Sequence, residues 1–186
     1  MARLSDLLTG AIDGWRRFVR RSPDRPAVRA PAATAPPHVD SPGRSGSDAT
    51  TDVDPAAIGT VAMSYSPHTD GEPDPGEVIW TWVPYQEHDG RGKDRPVLLV
   101  AAERTGTFLG VQLTSKRHTG ADYIAVGSGG WDGEQRPSWA HIDRIIRVCT
   151  AGMRREGTAL GRREFAEVTD RLRQRYGWSE SAHPNR

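Results

Sequence analysis

The clearest indication of the fold class is in residues Glu77–Ser115, which read EVIWTWVPYQEHDGRGKDRPVLLVAAERTGTFLGVQLTS. This stretch contains three blocks rich in Val, Ile, Leu and aromatic residues, Glu77–Tyr85, Arg95–Glu103 and Gly106–Ser115, which are separated by polar, Gly-containing segments. Blocks of this length and composition predict β-strands. Their connections are too short for a crossover helix, and Thr105-Gly106 is typical of a turn, so consecutive strands should pair antiparallel.

The chain downstream adds two strand candidates and one helix. ADYIAVG (121–127) and HIDRIIRVC (141–149) continue the strand-length pattern. Arg162–Tyr176 then changes period, because Phe165, Val168, Leu172 and Tyr176 fall on one helical stripe, with Gly161 before it and Gly177 after it as end signals. Five short strands followed by one helix predict a mainly β fold, a strongly bent antiparallel sheet or small barrel that ends in a helix.

The N-terminal 75 residues have a different composition. Ten of the 14 prolines lie there, and residues 23–75 are dominated by Ala, Pro, Ser, Thr, Asp and Gly. Such a segment offers little to bury, so it is predicted to be a disordered linker that is dispensable for activity. Residues 1–22 place Leu, Ile, Trp and Val at helical spacing beside arginines, which predicts an amphipathic helix that contacts a partner or an anionic membrane surface. Residues 76–178 form the predicted domain, and 179–186 a tail.

Charge and cysteine content exclude several classes of protein. The 25 Lys and Arg residues nearly balance 24 Asp and Glu, so the chain lacks the basic field of a high-affinity duplex binder. A single cysteine, Cys149, rules out an intramolecular disulfide and any Cys-rich zinc site, and favours the reducing cytoplasm. The six histidines have no ligand spacing, which predicts no metal and no cofactor.

Two residues remain as candidates for chemistry. Arg95 begins the second strand and Thr114 ends the third, so antiparallel pairing should bring a guanidinium and a hydroxyl group together at one rim of the sheet. Such a pair can bind an oxyanion. The alternative is that Arg95 is a solvated charge that keeps a strand end soluble.

The chain resembles the PemK/MazF-like toxins of type II toxin–antitoxin systems. The resemblance runs from about Gly76 to Trp178, and its blocks occur in the family's order: PGEVIWTWVPY, GKDRPVLLV, VQLTSK, SWAHIDRIIRV, and REGTAL before a helix ending in YGW. It implies an SH3-like barrel with a C-terminal helix. It also implies a homodimer, metal-independent cleavage of single-stranded RNA, and a cognate antitoxin whose tail occupies the RNA groove.

The resemblance also implies residue roles. The arginine directly before Pro in the second strand is catalytic in the family and corresponds to Arg95, and the catalytic threonine corresponds to Thr114. We expect further RNA contacts from residues near these two or suited to stacking on bases: Tyr85, Arg91, Lys93, Ser115, Lys116, Trp131 and Trp139. A non-catalytic SH3-like module that binds nucleic acid or a protein remains the alternative function.

Overall fold

The computed structural model describes residues 41–103 and 106–180, all of which belong to one compact unit. The predicted helix over residues 1–22, residues 23–40 and the tail beyond residue 180 lie outside the described residues. Within the described residues, no helix is long and apolar enough to cross a membrane.

The described elements are mostly strands. They are β1 Thr51–Val53, α1 Pro55–Ile58, β2 Ala62–Met63, β3 Glu77–Pro84, β4 Gly92–Ala102, β5 Thr107–Thr114, β6 Tyr123–Gly127, β7 Ser138–Cys149, β8 Arg154–Ala159, α2 Arg162–Tyr176 and β9 Ser179–Glu180, with short 3-10 turns at Gly46–Asp48 and Thr150–Gly152. All five predicted strands and the predicted helix are present, so a mainly β fold with a C-terminal helix is confirmed. β4 begins three residues before the predicted start at Arg95, and β8 was not predicted.

One antiparallel sheet organises these strands, in the order β1-β7-β5-β4-β3-β8, with β6 also paired to β7. The segment before β1 reaches across to β3. There the backbone N–H of Trp82 donates to the carbonyl oxygen of Pro42 at 2.9 Å, and the hydroxyl oxygens of Thr50 and Thr81 lie 2.7 Å apart. A separate parallel pair joins β2 to β9.

Alternation along the strands builds two apolar clusters. One cluster includes Val78, Leu98 and Val111 and is covered by α2, whose Val168 and Leu172 are fully buried. The other cluster lies on the opposite faces of the same strands and includes Ile79, Val97 and Leu99. Burial on both faces explains why β4 reads as a continuous apolar run instead of an alternating one.

The prediction of a disordered linker is wrong for residues 41–75. Met63 is fully buried and Val61 is 5% exposed, both in the cluster beneath α2. β1 pairs with β7, and Asp52 accepts two hydrogen bonds from Arg144, at 2.5 and 2.7 Å. Composition was misleading because the few apolar side chains of this segment pack into the cluster beneath α2. Its polar groups form hydrogen bonds with residues of β3 and β7.

Candidate active site

A pocket opens where β4 and β5 separate. Their pairing ends at Val97 opposite Gln112, and the next residue of β4 is Pro96, which has no N–H with which to extend the ladder. Beyond this point, residues 93–96 and 113–116 line a cavity of about 540 Å³. That volume is within the usual range for ligand-binding pockets.

Arg95 lies on the wall of this pocket, across from Thr81 of β3. Its side chain is partly buried, and its Nε is shielded from solvent without a hydrogen-bond partner among the described residues. A buried donor without a partner costs free energy unless a ligand supplies the acceptor. Arg95 therefore has hydrogen-bonding capacity that the described part of the chain does not use.

Thr114 lies on the same pocket wall as Arg95, as antiparallel pairing predicts. Its Oγ1 accepts a hydrogen bond from the backbone N–H of Lys116 at 3.2 Å. A hydroxyl that accepts this bond still has its own proton to donate. The backbone turn therefore holds Oγ1 in place and leaves a donor for a bound group.

Some of the basic side chains around the pocket form ion pairs with carboxylates, and others form none among the described residues. Lys93 and Lys116 are exposed and line the pocket together with Ser115, and no ion pair engages Lys93, Arg95 or Lys116 in the described ranges. On the other wall, Arg136 contacts Asp132 at 2.9 Å and Glu134 at 3.3 Å. The hydrogen bond from Arg136 holds the pKa of Asp132 below its ordinary value. The cations beside Arg95 are thus the ones available to an anionic ligand.

The expected stacking role of Trp131 needs correction. Its indole is 3% exposed, belongs to the cluster beneath α2, and donates from Nε1 to Ser138 Oγ at 3.1 Å. Gly129 is needed beside it, because a Cβ at that position would lie 2.1 Å from the ring. The Gly-rich segment after β6 therefore packs around a buried indole, and Trp131 forms part of the pocket lining.

Tyr85 and Arg91 are not among the residues that line this pocket. They lie at the turn of the β3–β4 hairpin, where the Arg91 guanidinium is 5.9 Å from the Tyr85 ring centroid and 2.7 Å from Asp89. Trp139 lies opposite Thr114 on β7 and is only partly buried. RNA contact by these three residues stays a prediction.

Trp80 and Asp94 are among the pocket residues that sequence reasoning missed. The alternation of Trp80 and Trp82 along β3 was a usable signal, because two large rings at period two fall on the same face of a strand. Asp94 gave no signal of its own, since an acidic residue beside an arginine is commonplace.

His141 and Cys149 do not line this pocket. His141 is 8% exposed, its ring stacks on Tyr123 at 4.4 Å, and its Nδ1 lies 3.1 Å from the amide nitrogen of Gln112. Burial lowers the pKa of this imidazole. The Cys149 thiol lies 3.9 Å from Ser47 O. Among residues 41–103 and 106–180, no three His, Cys, Asp or Glu side chains are grouped to hold a metal ion.

Comparison with known proteins agrees with this description. Residues 74–176, more than half of the chain, match the family described as the PemK-like, MazF-like toxin of type II toxin-antitoxin systems. Similar solved structures include MazF from Deinococcus radiodurans, at 18% identity and a TM-score of 0.47, covering 58% of this chain and 99% of that one. A MazE-MazF complex from the same organism gives 19% identity and a TM-score of 0.45, covering 58% and 98%. A search of curated proteins gave no match.

The family match spans β3 to the end of α2 and includes both walls of the pocket. It agrees within two residues at each end with the resemblance read from the sequence blocks. The chain belongs to the PemK-like, MazF-like toxin family of type II toxin–antitoxin systems.

Proposed function

We propose that this protein is an endoribonuclease toxin that cleaves single-stranded RNA at the Arg95–Thr114 pocket without a metal ion. The observation that carries the proposal is the buried Nε of Arg95, which lacks a partner in the described part of the chain and lies in a pocket with Thr114 and two unpaired lysines. A phosphodiester supplies the anionic acceptor oxygens that these donors lack.

The chemistry needs little covalent participation from the protein. The ribose 2′-oxygen attacks the adjacent phosphorus, so that the O2′–P bond forms and the P–O5′ bond breaks. The products are a 2′,3′-cyclic phosphate and a 5′-hydroxyl end; O2′ gives up its proton and O5′ gains one, in exchange with water. Negative charge grows on the non-bridging oxygens, where Arg95 can donate two parallel N–H bonds and Thr114 one O–H bond. A guanidinium has N–H donors and no acceptor, so Arg95 stabilises charge and does not act as the base.

Further parts of the proposal follow from family membership. We expect a cognate antitoxin in the cytoplasm, whose tail would cover the same pocket. We also expect a two-fold symmetric homodimer, which the resemblance to the family implies.

The decisive experiment is cleavage of a long unstructured RNA by the purified chain in the presence of EDTA. We expect cleavage with 2′,3′-cyclic phosphate and 5′-hydroxyl ends, and none from an Arg95→Ala preparation, which controls for contaminating ribonuclease. Ends bearing a 5′-phosphate, or equal cleavage by both preparations, would contradict the proposal.

A further inference from the structure

Asp94 is one of three pocket residues that have a buried polar atom without a hydrogen-bond partner among the described residues, the others being Arg95 and Trp80. In Asp94 this atom is Oδ1, which is shielded from solvent. Its other carboxylate oxygen lies 3.8 Å from Nη1 of Arg154, beyond hydrogen-bond distance. A carboxylate only accepts hydrogen bonds, so Asp94 presents an acceptor to whatever fills the pocket.

An aromatic surface lies beside this acceptor. Trp80 pairs with Pro96, and Trp82 pairs with Asp94, across the β3–β4 ladder. Residues two apart on a strand share a face, so Trp80 and Asp94 are diagonal neighbours whose backbones are about 7–8 Å apart. The Trp80 ring lines the pocket and is partly exposed, and the Arg154 guanidinium lies 5.5 Å from its centroid.

An aromatic ring beside a carboxylate acceptor is suited to binding the base of a nucleotide. An indole is a stacking surface for any base, and an acceptor at its edge distinguishes bases by their donors. Adenine, cytosine and guanine carry an exocyclic amino group, whereas uracil presents a carbonyl oxygen on each side of its single N–H. A carboxylate repels those carbonyls and accepts from the amino groups.

We propose that Trp80 and Asp94 form a base-reading subsite beside the Arg95–Thr114 centre, which selects a nucleobase with an exocyclic amino group and rejects uracil. Trp80 stacks on the base, and Asp94 accepts its amino N–H. The inference rests on the proposed function, because it takes the phosphate-binding residues of the same pocket as the neighbouring site.

A purely structural role for Asp94 makes a different prediction. In that case Asp94 only holds the Arg154 guanidinium over Trp80. Glu156 provides a matched control, because its carboxylate also lies near Arg154, at 3.6 Å, and does not line the pocket. If holding Arg154 were the whole role, Asp94→Asn and Glu156→Gln would have the same effect on base preference.

The test compares two uncleavable ligands, 2′-O-methyl cytidine and 2′-O-methyl uridine hexamers, by fluorescence anisotropy with the full chain. These hexamers match in length, charge and ring size and differ at the edge that Asp94 would read. We expect the cytidine hexamer to bind about tenfold more tightly. Asp94→Asn, which is nearly isosteric, should abolish that ratio, and Glu156→Gln should keep it. Thermal melting of each variant verifies folding.

The outcomes separate this inference from the proposed function. Equal binding of both hexamers by the wild-type protein overturns the subsite, as does an unchanged ratio in Asp94→Asn or a ratio lost equally in Glu156→Gln. The proposed function can survive these results, since it is judged by RNA cleavage in EDTA. If neither hexamer binds, the subsite is overturned, and cleavage in EDTA still decides the proposed function.

Discussion

At the scale of single residues, Arg95 differs from other arginines of the sheet in what it contacts. Three partly or fully buried arginines each donate bidentate hydrogen bonds to a carboxylate, and these pairs are Arg144 with Asp52, Arg147 with Glu103, and Arg155 with Glu77. These guanidinium groups are already paired with carboxylates within the fold. Arg95 has no such partner among the described residues, which is why its guanidinium is the one we assign to a substrate.

Replacing Arg95 by lysine tests that assignment. A lysine keeps the positive charge and cannot reproduce the planar two-bond fork, so the single-turnover cleavage rate should fall about 100-fold or more. Thr114→Val, which removes the hydroxyl at nearly constant shape, should lower the rate in the same way. Arg163→Lys, on the exposed face of α2, is the control and should leave the rate unchanged. A folded Arg95→Lys protein with the wild-type rate would return the chain to the alternative of a non-catalytic binding module.

At the scale of elements, α2 shows how local signals position a helix. Its apolar stripe covers the sheet, and the helix ends at Gly177, which adopts the left-handed conformation with φ 71° and donates its N–H to Arg173 O at 2.9 Å. Nothing lies within 4 Å of a Cβ built at this position, so a side chain would meet strain only from the backbone.

Gly177→Ala should therefore lower the free energy of unfolding by about 1 kcal/mol. Gly133→Ala is the matched control, because its Cβ also meets nothing within 4 Å while its φ is not positive. Urea denaturation of both variants measures the difference. Equal stability of the two would show that the left-handed cap contributes nothing.

The second element of interest is β1, whose pairing with β7 is reinforced by the carboxylate of Asp52. Asp52 accepts from Arg144, which is 8% exposed, and its Oδ2 lies 2.7 Å from Nε2 of His88 in the β3–β4 turn. Burial raises the pKa of Asp52, but the hydrogen bonds from Arg144 and His88 more than offset it and hold the pKa below its ordinary value.

The lowered pKa of Asp52 predicts how the free energy of unfolding depends on pH. A carboxyl group whose pKa is lower in the folded chain stabilises the fold above its unfolded pKa of about 3.9, and that contribution is lost as the pH falls through the folded value. Asp52→Asn should therefore cost about 2 kcal/mol of unfolding free energy at pH 7, a difference that shrinks in acid below about pH 4. Asp89→Asn, in an exposed pair with Arg91, should cost under about 1 kcal/mol. A pH-independent difference between wild type and Asp52→Asn would refute this account.

At the scale of the whole molecule, the segment that precedes the family match is part of the described fold. Residues 41–63 supply β1 at one edge of the sheet, and Val61 and Met63 fill the cluster beneath α2. The β2–β9 pair further ties this segment to the end of the chain after α2. These contacts give the segment a structural role that its composition did not predict.

A chain that begins at residue 76 should consequently be less stable than one that begins at residue 41. Loss of two buried apolar side chains and of the Asp52–Arg144 pair should cost about 3 kcal/mol or more. Thermal denaturation of the two chains measures the effect. Equal melting temperatures would show that residues 41–75 do not contribute to the stability of the fold.

Five strands, the C-terminal helix and the family could be predicted from the amino-acid sequence. The strand blocks from Glu77 onward, the period of Arg162–Tyr176 and its end signal at Gly177 are short-range patterns, and short-range geometry is enough to specify them. The Arg-Pro pair and the Thr114 position followed too, because antiparallel pairing across a short turn places strand ends together. Their catalytic roles come from the resemblance to the family and stay predictions.

Which side chains have partners could not be predicted from the sequence, because it depends on how distant segments pack together. Three features depend on residues that are distant in sequence. They are the burial of Trp131, the lack of a hydrogen-bond partner for Asp94 Oδ1 among the described residues, and the packing of residues 41–63 against the sheet. Met63, for example, is buried against strands that come later in the chain, so its environment is absent from its own local composition. Burial and hydrogen-bond satisfaction are properties of the assembled surfaces, which is why composition alone misjudged this segment and missed the Trp80–Asp94 pair.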